Sequence, residues 1–390
     1  MNTDILYLDH NATTPVLPAV VEAMLPVFRD HFGNPSSAHS FGLAARAMVD
    51  RAREQTAALA GCSPQEIIFT SGGTESNNLA ILGTAAQCEA PGSMLISAVE
   101  HPAVTEPCRV LERRGWRVVV VPVDGEGRIE VDAVLALLES DTRLVSVMHA
   151  NNETGAIQPV VDLARHLRAR GVRFHCDAAQ SAGRIPIADL GADFVTLASH
   201  KLHGPKGVGA LVVRDGVRLS PCHVGASHER GLRPGTENVP AIVGFGVACE
   251  VLLEDRDQEG ARQREVSEAI LAGLVESVPG IALNGSREQC LPNTLNVSFP
   301  GVSAADLLAR TPGIVAATGA ACLGGGVSSS LGAMGLSFER ALGAVRISIG
   351  RSIGREHVGR IVAAFSGAWH AMNQDRPTES GGRGPDALDP

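Results

Sequence analysis

Short apolar runs alternate with helix-patterned segments along much of this 390-residue chain, and that alternation restricts the architecture more than any other feature. The runs lie at 94–98, 118–121, 144–148, 172–176, 194–198 and 210–213. Each is too short for a helix and has no polar side, the pattern of a strand buried on both faces. Helical spacing fills several of the gaps, at 131–138 and 160–169 for example. Strands and helices in this order predict an α/β fold, a mostly parallel sheet with helices on each side. Ligands of such sheets bind beyond the carboxyl ends of the strands. Polar residues collect at those ends: Glu100-His101, His149 to Gly155, His175 to Ser181, and Ser199-His200-Lys201.

The last of these ends carries the most chemistry. A strand end is a rigid mount, and a desolvated lysine amine becomes a nucleophile toward aldehydes. Ser199 and His200 beside it can hydrogen-bond a phosphate. Both needs belong to pyridoxal phosphate, although taken alone the stretch equally suits an ordinary charged residue leaving a core strand. A second block, Thr70-Ser71-Gly72-Gly73-Thr74 ahead of a helix, has the makings of a phosphate cup. Glycines let backbone N–H groups close on an anion, Thr74 adds a hydroxyl, and the helix presents its positive end. The same pair of glycines also occurs before helices that bind nothing. A pyridoxal enzyme further needs a carboxylate for the pyridine nitrogen and a group to stack on the ring. Asp177 suits the first, unless it is only a helix cap, and His101 the second, unless it is only a turn residue. Asn152 and Gln180 are placed for the ring oxygen. Cys322 sits in a loop of tiny residues, Gly319-Ala320-Ala321-Cys322 followed by Leu323 and three glycines. It reads either as a small buried hydrophobe or as an exposed thiol able to swing toward a ligand.

Composition excludes several other classes. Aromatic residues make up 3% and the net charge is -9, a poor match for a nucleic-acid backbone or for base stacking. No apolar stretch is long enough to span a bilayer and no signal-like segment opens the chain, so no membrane partner and a cytoplasmic location are expected. The eight cysteines, at 62, 88, 108, 176, 222, 249, 290 and 322, form no CxxC pair. Free thiols in a reducing compartment, and no metal site, follow from that spacing.

In order, the blocks GlyGlyThrGluSerAsnAsn, GluHis, AsnAsnGluThrGly, HisCysAspAlaAlaGln, SerHisLysLeuHisGlyProLysGlyValGlyAla and ArgProGlyThrGluAsn resemble the cysteine desulfurase and selenocysteine lyase family of fold-type I pyridoxal enzymes. The likeness runs from Tyr7 to about Phe365. With the residue pattern it suggests an N-terminal arm at 1–15 that joins the smaller domain, a large cofactor-binding domain at 16–253 and a smaller α+β domain at 254–370 carrying the catalytic loop, the boundary falling near Glu254 between two helix-patterned stretches. The polar, Gly- and Pro-bearing end at 371–390 reads as a disordered tail. The likeness implies that Lys201 bonds the cofactor aldehyde, Asp177 pairs the pyridine nitrogen, His101 stacks on the ring and assists proton transfer, and Asn152 and Gln180 hold the ring oxygen. Gly73, Thr74, Ser199 and His200 are then the phosphate ligands, with Thr236 reaching across a homodimer to the partner's phosphate. Arg346 clamps the substrate carboxylate, with Asn152 beside it, and Cys322 takes the sulfur of L-cysteine as a persulfide for an acceptor protein, as in iron-sulfur cluster assembly. Gly-Ala-Ala-Cys, where many members have Gly-Ser-Ala-Cys, also resembles selenocysteine lyases and leaves L-selenocysteine open as a substrate. An aminotransferase, which would not need Cys322, and a non-catalytic binding subunit are the remaining alternatives.

Overall fold

The computed structural model describes residues 5–318 and 328–374. The chain opens with β1 (Leu6–Tyr7), α1 (Pro18–Arg29) and α2 (Ser40–Ala60), and the main alternation follows. It runs through β2 (Ile67–Thr70), α3 (Gly73–Ala85), β3 (Ser93–Ser97), α4 (Pro102–Glu112), β4 (Arg117–Val121), α5 (Val131–Ala136), β5 (Thr142–Ser146), α6 (Val160–Ala169), β6 (Arg173–Asp177), β7 (Phe194–Ala198) and β8 (Gly209–Val213). Strands β2 to β8 form one sheet in the order β2-β8-β7-β6-β5-β3-β4. Only β8 runs against its neighbours, β2 and β7. The other pairings are parallel.

The two-residue period of the strands sorts their side chains onto two faces. Ile67, Phe69, Val145, Val195 and Val212 join the core under α2 and α6. Ile68, Met94, Leu144, Phe194 and Leu211 join the one under α3 and α4. Both faces are buried, as the unbroken apolar runs require. Helix α2 stops where the sequence says it should, at Gly61, whose φ of 61° is the left-handed cap conformation.

The largest departure from the sequence reading follows. Helical spacing predicts two helices, at 239–253 and 258–278, with a boundary near Glu254. The structure has one, α7 (Val239–Ser277), 39 residues long, and Glu254 lies inside it. A charged stretch looks like a break in the apolar pattern, but Glu, Asp, Arg and Gln disturb a helical backbone little. What changes at Glu254 is the neighbour. Ile242, Phe245, Cys249 and Leu252 pack on the large sheet, while Val266, Ile270 and Leu274 pack on a second core.

That second core belongs to β9 (Ala282–Leu283), β10 (Thr294–Ser298), α8 (Ala304–Ala309), β11 (Ile314–Val315), β12 (Ala317–Thr318), α9 (Ser329–Ala333), α10 (Phe338–Leu342), β13 (Ala344–Ser348) and α11 (Val358–Gln374). A four-stranded antiparallel sheet, β12-β13-β10-β9, is its centre. Helix α11 continues to Gln374, four residues into the stretch expected to be a tail, because Trp369 and Met372 pack on this core. Residues 375–390 lie outside the described residues. The first strand returns to pair with β11. No helix among the described residues is long and apolar enough to cross a membrane.

Candidate active site

Strand β7 ends in a single 3-10 turn, Ser199–Lys201, which turns the lysine back over the carboxyl edge of the sheet. Around it lies a cavity of about 440 Å³. Gly73, Thr74, His101, Asn152, Asp177, Gln180, His200, Lys201 and Arg346 all line it, so nine residues picked from separate blocks meet in one chamber. Three expected members are not among these nine. Ser199 is fully buried below the turn, its Oγ without a hydrogen-bond partner and 2.2 Å from where a Cβ on Gly204 would stand. Thr236 is exposed in a separate groove, which meets the chamber at Thr74. Cys322 lies outside the described residues.

Lys201 donates from Nζ to the Asn11 carbonyl at 2.5 Å and the Ala12 carbonyl at 2.8 Å. Burial, helped by Arg184 and Arg346 and opposed by Asp177 and Asp9, lowers its pKa to about 8. A few per cent or more of the amine is therefore unprotonated near neutral pH, far more than in a free lysine. The chain contains only two lysines, and the other, Lys206, is exposed.

Asp177, the last residue of β6, is held at both oxygens. Oδ1 accepts from the Ala179 amide at 2.9 Å and Oδ2 from Asn77 Nδ2 at 2.7 Å. Two donors fix this carboxylate in orientation. His101 caps α4, its Nδ1 accepting from the Ala103 amide at 3.1 Å, which leaves the proton of the neutral ring on Nε2. Desolvation lowers the pKa of the ring, Asp177 opposing and Lys201 adding to the shift. Beneath it Glu100 is completely buried, and desolvation raises its pKa to about 8.

At the phosphate end, α3 points its N-terminus into the chamber through Gly73 and Thr74. Its first amides have no carbonyl of an earlier turn to bond, which makes the helix start an anion cradle. His200 bonds Thr13 Oγ1 through Nδ1 at 3.2 Å, and burial with Lys201 and Lys206 lowers its pKa to about 4. It therefore offers an anion a hydrogen bond and no charge. Opposite, Arg346 on β13 spans from the Asn152 carbonyl at 3.0 Å to Asp9 Oδ1 at 2.6 Å, with Nε buried and unpartnered.

Four contributors escaped the sequence reading. Asn11 is the hub of the arm. Its carbonyl accepts from Lys201 and from Gln180 Nε2, and its side chain donates to the Asn152 carbonyl and to Thr294 Oγ1. Asp9 holds Arg346. Arg184 donates to both the backbone and side-chain oxygens of Gln180. Asn77 follows Gly73 by four positions, one turn along the same helix face, and that spacing was a usable signal. The other three reveal themselves only when distant segments meet.

The family model described as aminotransferase class-V matches residues 6–361. The chain belongs to the class-V aminotransferase family. It is 43% identical over 368 residues, covering 92% of this chain and 91% of the relative, to a protein named cysteine desulfurase IscS from Anaeromyxobacter dehalogenans (strain 2CP-C). A solved NifS-like protein superposes with a TM-score of 0.88 at 36% identity, covering 95% of this chain and 100% of that one. SspA, solved in complex with cysteine, gives 0.78 at 35% identity, covering 88% and 98%. Class-V aminotransferases are pyridoxal 5'-phosphate enzymes, and pyridoxal phosphate is the cofactor of this chain.

The residues present fit that group. The chamber of this class-V member offers an amine of lowered pKa, an oriented carboxylate, an imidazole, and a helix start at Gly73 and Thr74. Asn77 Oδ1 is buried without a partner while the Nδ2 of the same amide fixes Asp177, which shows a carboxamide oriented for the carboxylate at the expense of its own oxygen.

Proposed function

We propose that the chain is a cysteine desulfurase, taking sulfur from L-cysteine to give L-alanine and a persulfide on Cys322 that passes to an acceptor protein. The observation that supports it best is the chamber itself. A partly neutral lysine, an anchored aspartate and an arginine share one cavity at the strand ends, the set that an amino-acid substrate of a pyridoxal enzyme needs.

In this reading Lys201 holds the cofactor aldehyde, Asp177 the ring nitrogen, His101 one ring face, and Asn152 and Gln180 the ring oxygen. Gly73, Thr74 and His200 hold the phosphate, and Ser199 shapes the turn beneath it. When bound, pyridoxal phosphate supplies an electron sink for the substrate α-carbon. Arg346 orients the substrate through its carboxylate by a charge-assisted pair, exchanging Asp9 for it. Lys201, its amine lowered by burial to a pKa of about 8, would serve as the base for the substrate α-proton. Cys322 attacks as the thiolate at the substrate sulfur. The bond from that sulfur to the β-carbon breaks, its electron pair stays on carbon, and protonation there yields the methyl group of alanine. His101, neutral with its proton on Nε2, is suited to move a proton near the ring.

Thr236 does not line its own chamber and is offered instead to a partner's phosphate in a homodimer. The 97% exposure of Val224, in the same groove, supports a covered surface there. The deciding experiment measures alanine and pyruvate from L-cysteine with a thiol acceptor. Alanine without pyruvate, abolished by Cys322→Ala, is expected. Undiminished sulfide release by Cys322→Ala, or formation of a keto acid, would replace this reading with a lyase or an aminotransferase. The Gly-Ala-Ala-Cys segment makes L-selenocysteine the comparison substrate, with selenide release independent of Cys322 favouring the lyase.

A further inference from the structure

Behind Lys201, on the side away from the chamber, lies a second cavity of about 20 Å³, room for roughly one water. Lys201, Arg184, His10, His203 and Glu259 border it. Arg184 stands out among them. Its donors go to the Gln180 carbonyl at 2.5 Å, to Gln180 Oε1 at 2.8 Å and to the His10 carbonyl at 3.4 Å. These are neutral oxygens, and no carboxylate among the described residues pairs with this guanidinium. The neighbouring arginines are matched: Arg346 by Asp9, Arg351 by Asp255 and Arg262 by Glu259.

The carbonyls involved belong to one short piece of chain. Arg184 takes His10, Gln180 takes Asn11, and Lys201 takes Asn11 and Ala12. An arginine without a counter-ion therefore holds the arm at His10, next to the Asn11 and Ala12 carbonyls that the amine takes, and shares the small cavity with that amine. We propose that Arg184 is a positioning residue for Lys201: fixed on Gln180 and the arm, its uncompensated positive charge expels the proton from the amine and keeps it nucleophilic. This rests on the reading of Lys201 as the cofactor lysine, but the protonation of the amine is measurable without the cofactor.

The charges facing Lys201 are few. Arg184 follows β6, Arg346 comes from β13, Asp177 ends β6 and Asp9 lies on the arm. His101 and His200 also couple to it, and both have lowered pKa values. His10 and His203, across the small cavity, are likewise pushed down by burial, to about 3 and about 4. Glu259 there is engaged by Arg262 and Gln263. The histidines being neutral near pH 7, the positive field on the amine comes from the two arginines, and Arg346 already has its partner. Desolvation is the larger cause of the lowered pKa of Lys201, with Arg184 next.

The test uses the full chain freed of cofactor, trace-acetylated over pH 6 to 11, with peptide mass spectrometry reading residues 201 and 206 separately. Lys206 is the internal reference. In the unsubstituted chain Lys201 should become reactive at a clearly lower pH than Lys206. Arg184→Gln should raise the Lys201 midpoint by about one pH unit, tenfold in acidity, and leave Lys206 in place. Arg184→Lys, which keeps the charge and loses the fork, should hold the midpoint near that of the parent. Equal midpoints for Lys201 and Lys206 in the parent, no shift in Arg184→Gln, or equal shifts in both variants would overturn the proposal. The first comparison needs no variant and stands even if Arg184→Gln fails to fold. A cofactor found on another residue would defeat the cofactor-lysine reading while leaving this measurement intact.

Discussion

Glu100 shows how much a single side chain here depends on its surroundings. It lies between β3 and α4, next to His101, with Oε1 accepting from Ser97 Oγ and from the Met148 amide at 2.8 Å, and Oε2 buried without a partner. Among the described residues no cation compensates it, while Asp177 repels its charge, so it folds as the neutral acid. The sign of the consequence is fixed by linkage. A carboxyl raised from 4.5 to about 8 gains a proton on folding between those values, so the native state loses stability as pH climbs from 4.5 to 8. Glu100→Gln keeps the acceptor oxygen and removes the titration. Thermal unfolding at pH 8 should show a gain of about 4 kcal/mol, vanishing below pH 4.5. An unchanged pH dependence would mean that Glu100 is ionised in the native protein. Lys201, Asp177 and His101 were legible in the sequence because each ends an apolar run, where a polar side chain has few reasons to stand. Glu100 was legible only as half of a motif, because its role comes from what covers it.

Elements place these residues, and close approaches between elements set what they tolerate. Gly209 opens β8 opposite Thr70 and Ala198, and a Cβ there would lie 2.6 Å from the Leu197 carbonyl and 2.7 Å from Gly72 Cα. Both neighbours are backbone. Gly72 is the cap of α3, so the crowding would be passed directly to the start of the phosphate cradle. Gly209→Ala should cost about 1–3 kcal/mol of stability and loosen the cofactor, although it touches none of it. Cofactor dissociation constants and unfolding curves measured together check this. A destabilised variant with unaltered cofactor affinity would separate β8 from the cradle. At this scale the strands and most helices were readable to within a few residues, since both depend on local period and on stops such as Gly61. Helix α7 was not, because periodicity reports an apolar face and α7 changes the core it faces midway. The exchange of neighbours, with no break in the backbone, is invisible to a window of sequence.

Across the whole molecule the site is a joint between two cores. Lys201, Asp177 and His101 stand on the large sheet, Arg346 on the smaller one, and the arm ties them together. Asn11 is the knot: Asn293 Nδ2 donates to its side chain at 3.0 Å, its own Nδ2 reaches Thr294 and Asn152, and its amide reaches Ser348 Oγ at 3.0 Å. Asn11→Ala would strand several buried partners, at about 1–3 kcal/mol for each left unsatisfied. It should also lower the rate on L-cysteine more than it lowers cofactor content, because the arm sets the amine and the arginine relative to each other. Loss of cofactor in step with rate would assign Asn11 to cofactor retention instead. This joint was the least legible part of the molecule. Residues 9–12 have no periodicity, and their importance arises from contacts with positions as distant as Ser348 and Arg346. The central claim is that the amine at the end of β7 bonds the cofactor. Borohydride reduction of the cofactor-loaded protein followed by peptide mapping tests it most directly, in a chain with two lysines to choose from. The pyridoxyl mass should appear on the peptide at Lys201. Its appearance at Lys206, or on neither lysine, would contradict the account.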